Sequence, residues 1–111
     1  MKLAVNTIIK DYEGTPITER KGDKDVEITA RIIAVRSLTI LAQGDNSDGE
    51  EKFKRGRLAQ RIMDAESEAD ISVEEAATLK KLSGALYGPA VVYPFWTLLE
   101  DGNSKALKVV K

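Results

Sequence analysis

The chain has 111 residues, 42% of them apolar and 32% charged, and a formal net charge of −1. That size and balance fit one folded domain; they exclude wholesale disorder and a global charge that would steer the chain to DNA or an anionic membrane. Cysteine and histidine are both absent, which excludes disulfides, thiolate chemistry, cysteine- or histidine-bound zinc and serine–histidine catalysis, and leaves carboxylate and lysine chemistry open.

The opening Met1-Lys2-Leu3-Ala4-Val5-Asn6 lacks the apolar run of a signal peptide. Leu3, Val5, Thr7 and Ile9 then alternate along one side of an extended segment. Asp11-Tyr12-Glu13-Gly14-Thr15-Pro16 is dense in turn formers, with Gly14 able to take a positive φ, and Ile17-Thr18 begins a return strand. Residues 2–18 therefore read as a β-hairpin or extended arm, and Lys21-Gly22-Asp23 as a second turn. Residues 25–42 carry two patterns. Val26, Ile28, Ala30 and Ile32 alternate as in a strand, whereas Ile32, Val35, Leu38, Leu41 and Ala42 follow helical spacing. A short strand at 26–28 followed by a helix over 30–42, capped by Thr29 and closed by Gly44, is favoured over one long strand.

Gln43 to Gly49 is a polar loop. Its Gly44 and Gly49 have the spacing of a phosphate loop, but Glu50-Glu51 follow where Lys and Ser or Thr are needed. Counted as a calcium loop, its first ligand position is Gly44, which has no side chain. Ser47 with Glu50 forms a capping-box signature for a helix over about 50–65, with Leu58, Ala59, Ile62, Met63 and Ala65 on one face. Glu66 to Ile71 reads as a short acidic link. Ser72 with Glu75 repeats the capping signal and opens a helix over about 73–87 with a Leu79, Leu82, Leu86 stripe. Gly88-Pro89 ends it and starts a last helix, which Pro94 should kink or delay and Gly102-Asn103 should stop. Leu82 to Leu99 is uncharged, but its Gly84, Gly88, Pro89 and Pro94 favour two buried helices over a membrane span. Residues 103–111 read as a flexible tail, with the basic-apolar Ala106 to Lys111 as a short strand or a frayed end. The fold class is α+β: an N-terminal β-hairpin or extended arm (residues 2–28) packed on a small bundle of about four helices (residues 29–102).

Two groups of side chains stand out as binding candidates. Lys54, Arg57 and Arg61 fall on one helical stripe away from Leu58 and Ile62, and Phe53 lies beside it. A phenylalanine among arginines suits stacking on a base or anchoring a protein contact, although such a charge run is commonly a solvated helix face. Tyr93, Phe95 and Trp96 form the only aromatic concentration; they read as core beneath the hairpin, or as an interface if exposed. Residues 64–75 hold six acidic and no basic side chains just after the basic helix. That segregation suits head-to-tail self-association or pairing within the molecule. The acids cluster at one wet helix junction, unlike the opposed carboxylates of a glycosidase.

The stretches Gly49-Glu50-Glu51-Lys52-Phe53-Lys54-Arg55 and Leu58-Ala59-Gln60-Arg61-Ile62 resemble a loose group of short proteins encoded by tailed bacteriophages. So do Ser72-Val73-Glu74-Glu75, Leu79-Lys80-Lys81-Leu82 and Tyr87-Gly88-Pro89-Ala90-Val91-Val92, with Tyr12 to Ile17 as the opening hairpin. The resemblance implies a phage origin and a mixed fold, with no implied chemistry. Tyr93-Pro94 departs from the group's pattern of a continuous last helix. The expectation is a non-enzymatic accessory protein, without metal or cofactor, that binds a protein partner or itself in virion or tail assembly. The alternative is a small regulator that binds nucleic acid, or a host nucleic-acid enzyme, through Phe53, Lys54, Arg57 and Arg61. Either would work in the host cytoplasm or the virion, away from the membrane.

Overall fold

The computed structural model describes the backbone of residues 1–110 and the side chains of residues 1–100. In chain order the elements are β1 (Lys2–Ala4), β2 (Thr18–Lys21), β3 (Lys24–Glu27), α1 (Ala30–Thr39), α2 (Gly49–Asp64), β4 (Glu68–Asp70), α3 (Val73–Leu86) and α4 (Pro89–Val110). The protein is α+β, with four helices and two small antiparallel sheets among the described residues.

The N-terminal segment begins as an arm and then closes as a tight hairpin, with Lys10 bridged to Pro16 and the Ile17 N–H donating to Ile9 across the Asp11–Thr15 turn. β1 pairs with β4, not with the return strand expected at residue 17, and Leu3 sits opposite Ala69 with both side chains buried. The expected acidic link at 66–71 is therefore a strand. Alternation explains the difference: Ala69 and Ile71 point inward while Glu68 and Asp70 face solvent, a two-residue period that the density of acids hides. A second hairpin, β2–β3, turns at Gly22 with φ 68°. Two residues between β1 and β2 are tied to the residue that follows β3 through three backbone bonds arranged in a ring. Ile9 N–H donates to Ile28, Ile28 N–H to Ile17, and Ile17 N–H to Ile9, at 2.8, 2.9 and 2.9 Å.

The arm also caps the first helix. The first N–H groups of a helix lack partners within it. Here Ala30 and Arg31 donate to the carbonyls of Thr7 and Val5, each at 2.9 Å, and the Thr29 hydroxyl accepts from Ile32. Residues 30–39 are thus helical, and the helix ends before the glycine expected to close it. Ile40 is already extended, and Gly44 instead sits inside a turn bonded from Asp45 to Ala42, with φ 86°.

The cap of α2 is Asp48, not Ser47. Asp45 takes up Ser47 through its backbone N–H and its hydroxyl, and Arg55 reaches the same hydroxyl, so Ser47 is committed to the loop. At the other end of α2, the guanidinium of Arg31 donates to the carbonyls of Ile62 and Met63 at 2.8 and 2.7 Å. A fixed cation there satisfies orphan carbonyls and complements the helix dipole. Leu58, Ala59 and Ile62 are buried as expected, whereas Met63 is exposed. The capping box of Ser72 and Glu75 forms on α3 with both reciprocal bonds.

Helix α4 begins at Pro89 without delay and continues through Pro94, whose missing N–H leaves Ala90 without a helical donor. It also passes the stop expected at Gly102-Asn103; neither residue type costs a helix more than about 1 kcal/mol. The side chains of the expected tail, 103–111, lie outside the described residues. Phe95 and Leu99 of α4 join Leu3, Ile33, Ile62 and Leu79 in one buried cluster shared by the arm and all four helices. No described helix is long and apolar enough to cross a membrane.

Candidate functional site

The basic stripe of α2 borders a groove of about 420 Å³ against α3. Its cations are not equivalent. Arg61 grips Glu75 with two nitrogens, at 2.8 and 3.0 Å, and donates to the Asp70 carbonyl at 2.7 Å. Arg55, two residues before Arg57, is buried and binds Asp45, Glu51 and Ser47. Lys54 and Arg57 pair with no described carboxylate, and the Arg57 guanidinium lies 5.9 Å from the centre of the exposed Phe53 ring. Three acids, Glu51, Glu74 and Glu75, line the same groove, so its field is mixed rather than positive.

A second and larger groove, of about 630 Å³, lies between the end of α3, one face of α4 and the N-terminal arm. All three tyrosines and the single tryptophan of the chain line it: Tyr12, Tyr87, Tyr93 and Trp96. Helical periodicity places Val92, Tyr93, Trp96, Thr97 and Glu100 on the groove side of α4, while Phe95 and Leu99 turn into the core. The expected aromatic concentration at 93–96 is thus divided: Phe95 is core, Trp96 is half-buried and Tyr93 is 62% exposed.

Each ring is held by an identifiable device. Tyr12 is carried on a tight turn in which the Asp11 carboxylate accepts from Glu13 and Thr15 N–H at 2.9 and 3.0 Å, and Gly14 takes φ 85°. A positive φ of that kind favours glycine. The turn projects Tyr12, 70% exposed, against Tyr93, with ring centres 5.7 Å apart and planes 27° from parallel. The indole N–H of Trp96 donates to the Ser83 hydroxyl at 3.0 Å, which fixes the ring plane. Gly84 permits that approach: a Cβ there would stand 3.1 Å from the indole edge. Lys80 places its ammonium 5.7 Å from the Trp96 ring centre and pairs with Glu100. Burial pushes the Tyr87 hydroxyl above its usual pKa, and the neighbouring Arg36 guanidinium pulls it the other way. Arg36 is in turn held by Glu19 of β2, so the hairpin, α1 and the groove share one chain of contacts.

Chemically the described residues of the groove offer ring faces, tyrosine and threonine hydroxyls, an apolar floor of Pro89 and Val92, and one carboxylate, Glu100. No three carboxylates among the described residues converge so as to hold a metal ion.

Of the residues singled out in the sequence, the structure brings Tyr93 and Trp96 together and keeps Phe53, Lys54, Arg57 and Arg61 on α2. Tyr12 and Tyr87 were not among the sequence candidates. Given a helix over 89–100, the 92, 93, 96, 97, 100 face is readable by period. The arrival of Tyr12 is not, because it depends on where the arm lies. Comparison with protein-family models, curated proteins and solved structures finds no match to this chain.

Proposed function

We propose that this is a non-enzymatic accessory protein that acts by binding another protein, and that Tyr12, Tyr87, Tyr93 and Trp96 form its binding face. The observation that carries the reading is the concentration of rings: four of the chain's six aromatic side chains line one open groove, two of them more than 60% exposed. Tyrosine and tryptophan are the residues that dominate protein contacts, since each presents a large apolar body with a polar tip. Exposed rings held by turns and hydrogen bonds lose little freedom on binding, which lowers the cost of association. The resemblance to short tailed-phage proteins implies a phage origin, and small size with segregated charge supports virion or tail assembly in the host cytoplasm as the setting.

Trp96 is the only tryptophan, so its emission reports on the groove directly. The test is selection of a displayed random-peptide library on the wild type and on Tyr93→Ala. Enriched peptides should shift Trp96 emission and lose binding to the variant. A library that yields nothing dependent on Tyr93 or Tyr12 overturns the reading.

The alternative, nucleic-acid contact through α2, draws on one observation: Arg57 stacked near the exposed Phe53. The acids lining the same groove and the internal pairing of Arg61 weigh against it. Titration of single- and double-stranded DNA across salt concentrations separates the readings, because phosphate contacts give steep salt dependence.

A further inference from the structure

We infer that the segment this groove takes is an extended, proline-containing peptide with an arginine or lysine flanking its prolines. The inference rests on the reading of the groove as a protein-binding face, and it adds the chemistry of the partner.

The charge pattern comes first. Among the described residues Glu100 is the one charged residue lining the groove, with its side chain 62% exposed. On the far side of the stacked tyrosines stand Lys10 and Asp11, but the Asp11 carboxylate is already committed to two backbone N–H groups. A phosphate or acidic segment in the groove meets Glu100, and the nearest described cation, Lys80, is already paired with that carboxylate. A cationic residue, by contrast, has a ready position. The protein's own Lys80 shows it: its ammonium pairs with Glu100 while lying over the Trp96 ring. An incoming guanidinium can use the same two features, because it stacks on aromatic faces and pairs with carboxylates, and is less strongly hydrated than an ammonium. Glu100, more exposed than Lys80 at 62% against 29%, has room for that second partner.

The shape and chemistry of the lining set the rest. The groove is open and walled by rings rather than by aliphatic holes; the Trp96 indole N–H is already bonded to Ser83 and the Thr97 hydroxyl to the Tyr93 carbonyl, which leaves the tyrosine hydroxyls at the ring edges as its polar tips. A polyproline II segment suits such a surface. It needs no backbone pairing from its receptor, its prolines pack flat on ring faces, and it is largely pre-ordered before binding.

The experiment titrates the full chain with three synthetic peptides, followed by Trp96 emission and calorimetry: a short proline-rich peptide ending in arginine, the same peptide ending in glutamate, and the arginine peptide with every proline changed to alanine. The first should saturate in the micromolar range. The other two should bind about tenfold more weakly or worse, through lost charge complementarity and lost pre-order respectively. In Glu100→Gln, an isosteric change at an exposed site, the arginine and glutamate peptides should become equal, and in Tyr93→Ala all binding should fall. Equal binding of all three peptides to the wild type, or no binding of any, overturns the inference. The library selection then separates the two failures. Groove-dependent peptides without proline, such as an amphipathic helix or a segment of a second copy of this chain, sink the proline proposal and keep the binding face. No groove-dependent peptide sinks both.

Discussion

The α2 face and the aromatic groove both expose large side chains, and they differ in what those side chains are already doing. On α2, Arg61 is engaged by Glu75 and by the Asp70 carbonyl, and Arg55 is buried in a cage of Asp45, Glu51 and Ser47. Lys52, Lys54 and Arg57 of that helix keep a charge without a described carboxylate partner, and acids line the groove that Lys54 and Arg57 border. In the aromatic groove the polar contacts position the rings and leave much of their faces open, with Tyr12 and Tyr93 both mostly exposed. A run of cations in a sequence is therefore not a positive surface until the tertiary partners of each cation are known. A few aromatic residues scattered over 85 positions can nonetheless become one surface, because the fold rather than the spacing collects them.

The comparison can be broken first at the buried cation. Arg55→Met leaves Asp45 without its guanidinium partner and should cost about 3 kcal/mol, lowering the Tm by roughly 10 °C. Arg57→Met, one exposed position of the same helix, should stay within about 0.5 kcal/mol. Equal effects in thermal unfolding followed by circular dichroism would erase the distinction between structural and free cations on α2.

Next in size is the groove itself. Tyr93→Ala should weaken a groove-binding peptide at least about tenfold, roughly 1.4 kcal/mol or more, and Phe53→Ala should leave that affinity unchanged. A loss with Phe53→Ala and none with Tyr93→Ala would move the binding face to α2.

A third effect concerns the pairing that neutralises the stripe. Arg61 holds the Glu75 carboxyl below its ordinary 4.5, partly opposed by burial and aided by Ser72. Glu19 is likewise lowered by Arg36, and Asp45 lies well below its ordinary 3.8 through Ser47 and Arg55. Each folded-state value is depressed, so each contribution to stability is complete above the unfolded value and is lost as the pH falls through the folded one. Stability should therefore decline below about pH 4.5. Glu75→Gln should cost about 1 kcal/mol at neutral pH, through the lost ion pair and weakened capping box, and should approach the wild type as the pH falls through the lowered Glu75 value. Parallel acid limbs for the two proteins in urea unfolding would show that the pair contributes nothing.

The smallest expected effect is at Gly84. Alanine gains about 1 kcal/mol of helix propensity but presses its Cβ against the indole edge, now 3.1 Å away. Gly84→Ala should leave stability within about 1 kcal/mol while shifting Trp96 emission. An unchanged spectrum would mean that the ring is not held where the groove needs it.

Local chemistry made much of this fold legible. The Ser72–Glu75 capping box, the Gly88-Pro89 break, the cap at Thr29 and the positive φ of Gly14 are each decided within a few residues by sterics and hydrogen bonding. The departures arose where another part of the structure competes for the same group or strand. Ser47 has the chemistry of a cap, but Asp45 and Arg55 claim it, and Asp48 takes the role. β4 has the composition of an acidic link, but β1 arrives to pair with it across more than 60 residues.

By itself, then, the sequence determined the helix starts and turns, the α+β class and the absence of imidazole and thiol chemistry, since these depend on residue type and short-range geometry. Only the tertiary structure decided the functional surface. Tyr12 lies on a turn near one end of the chain and Trp96 on a helix near the other, and no periodicity relates them. They line one groove because the arm pairs with β4 and caps α1, which sets its Asp11–Thr15 turn against α4.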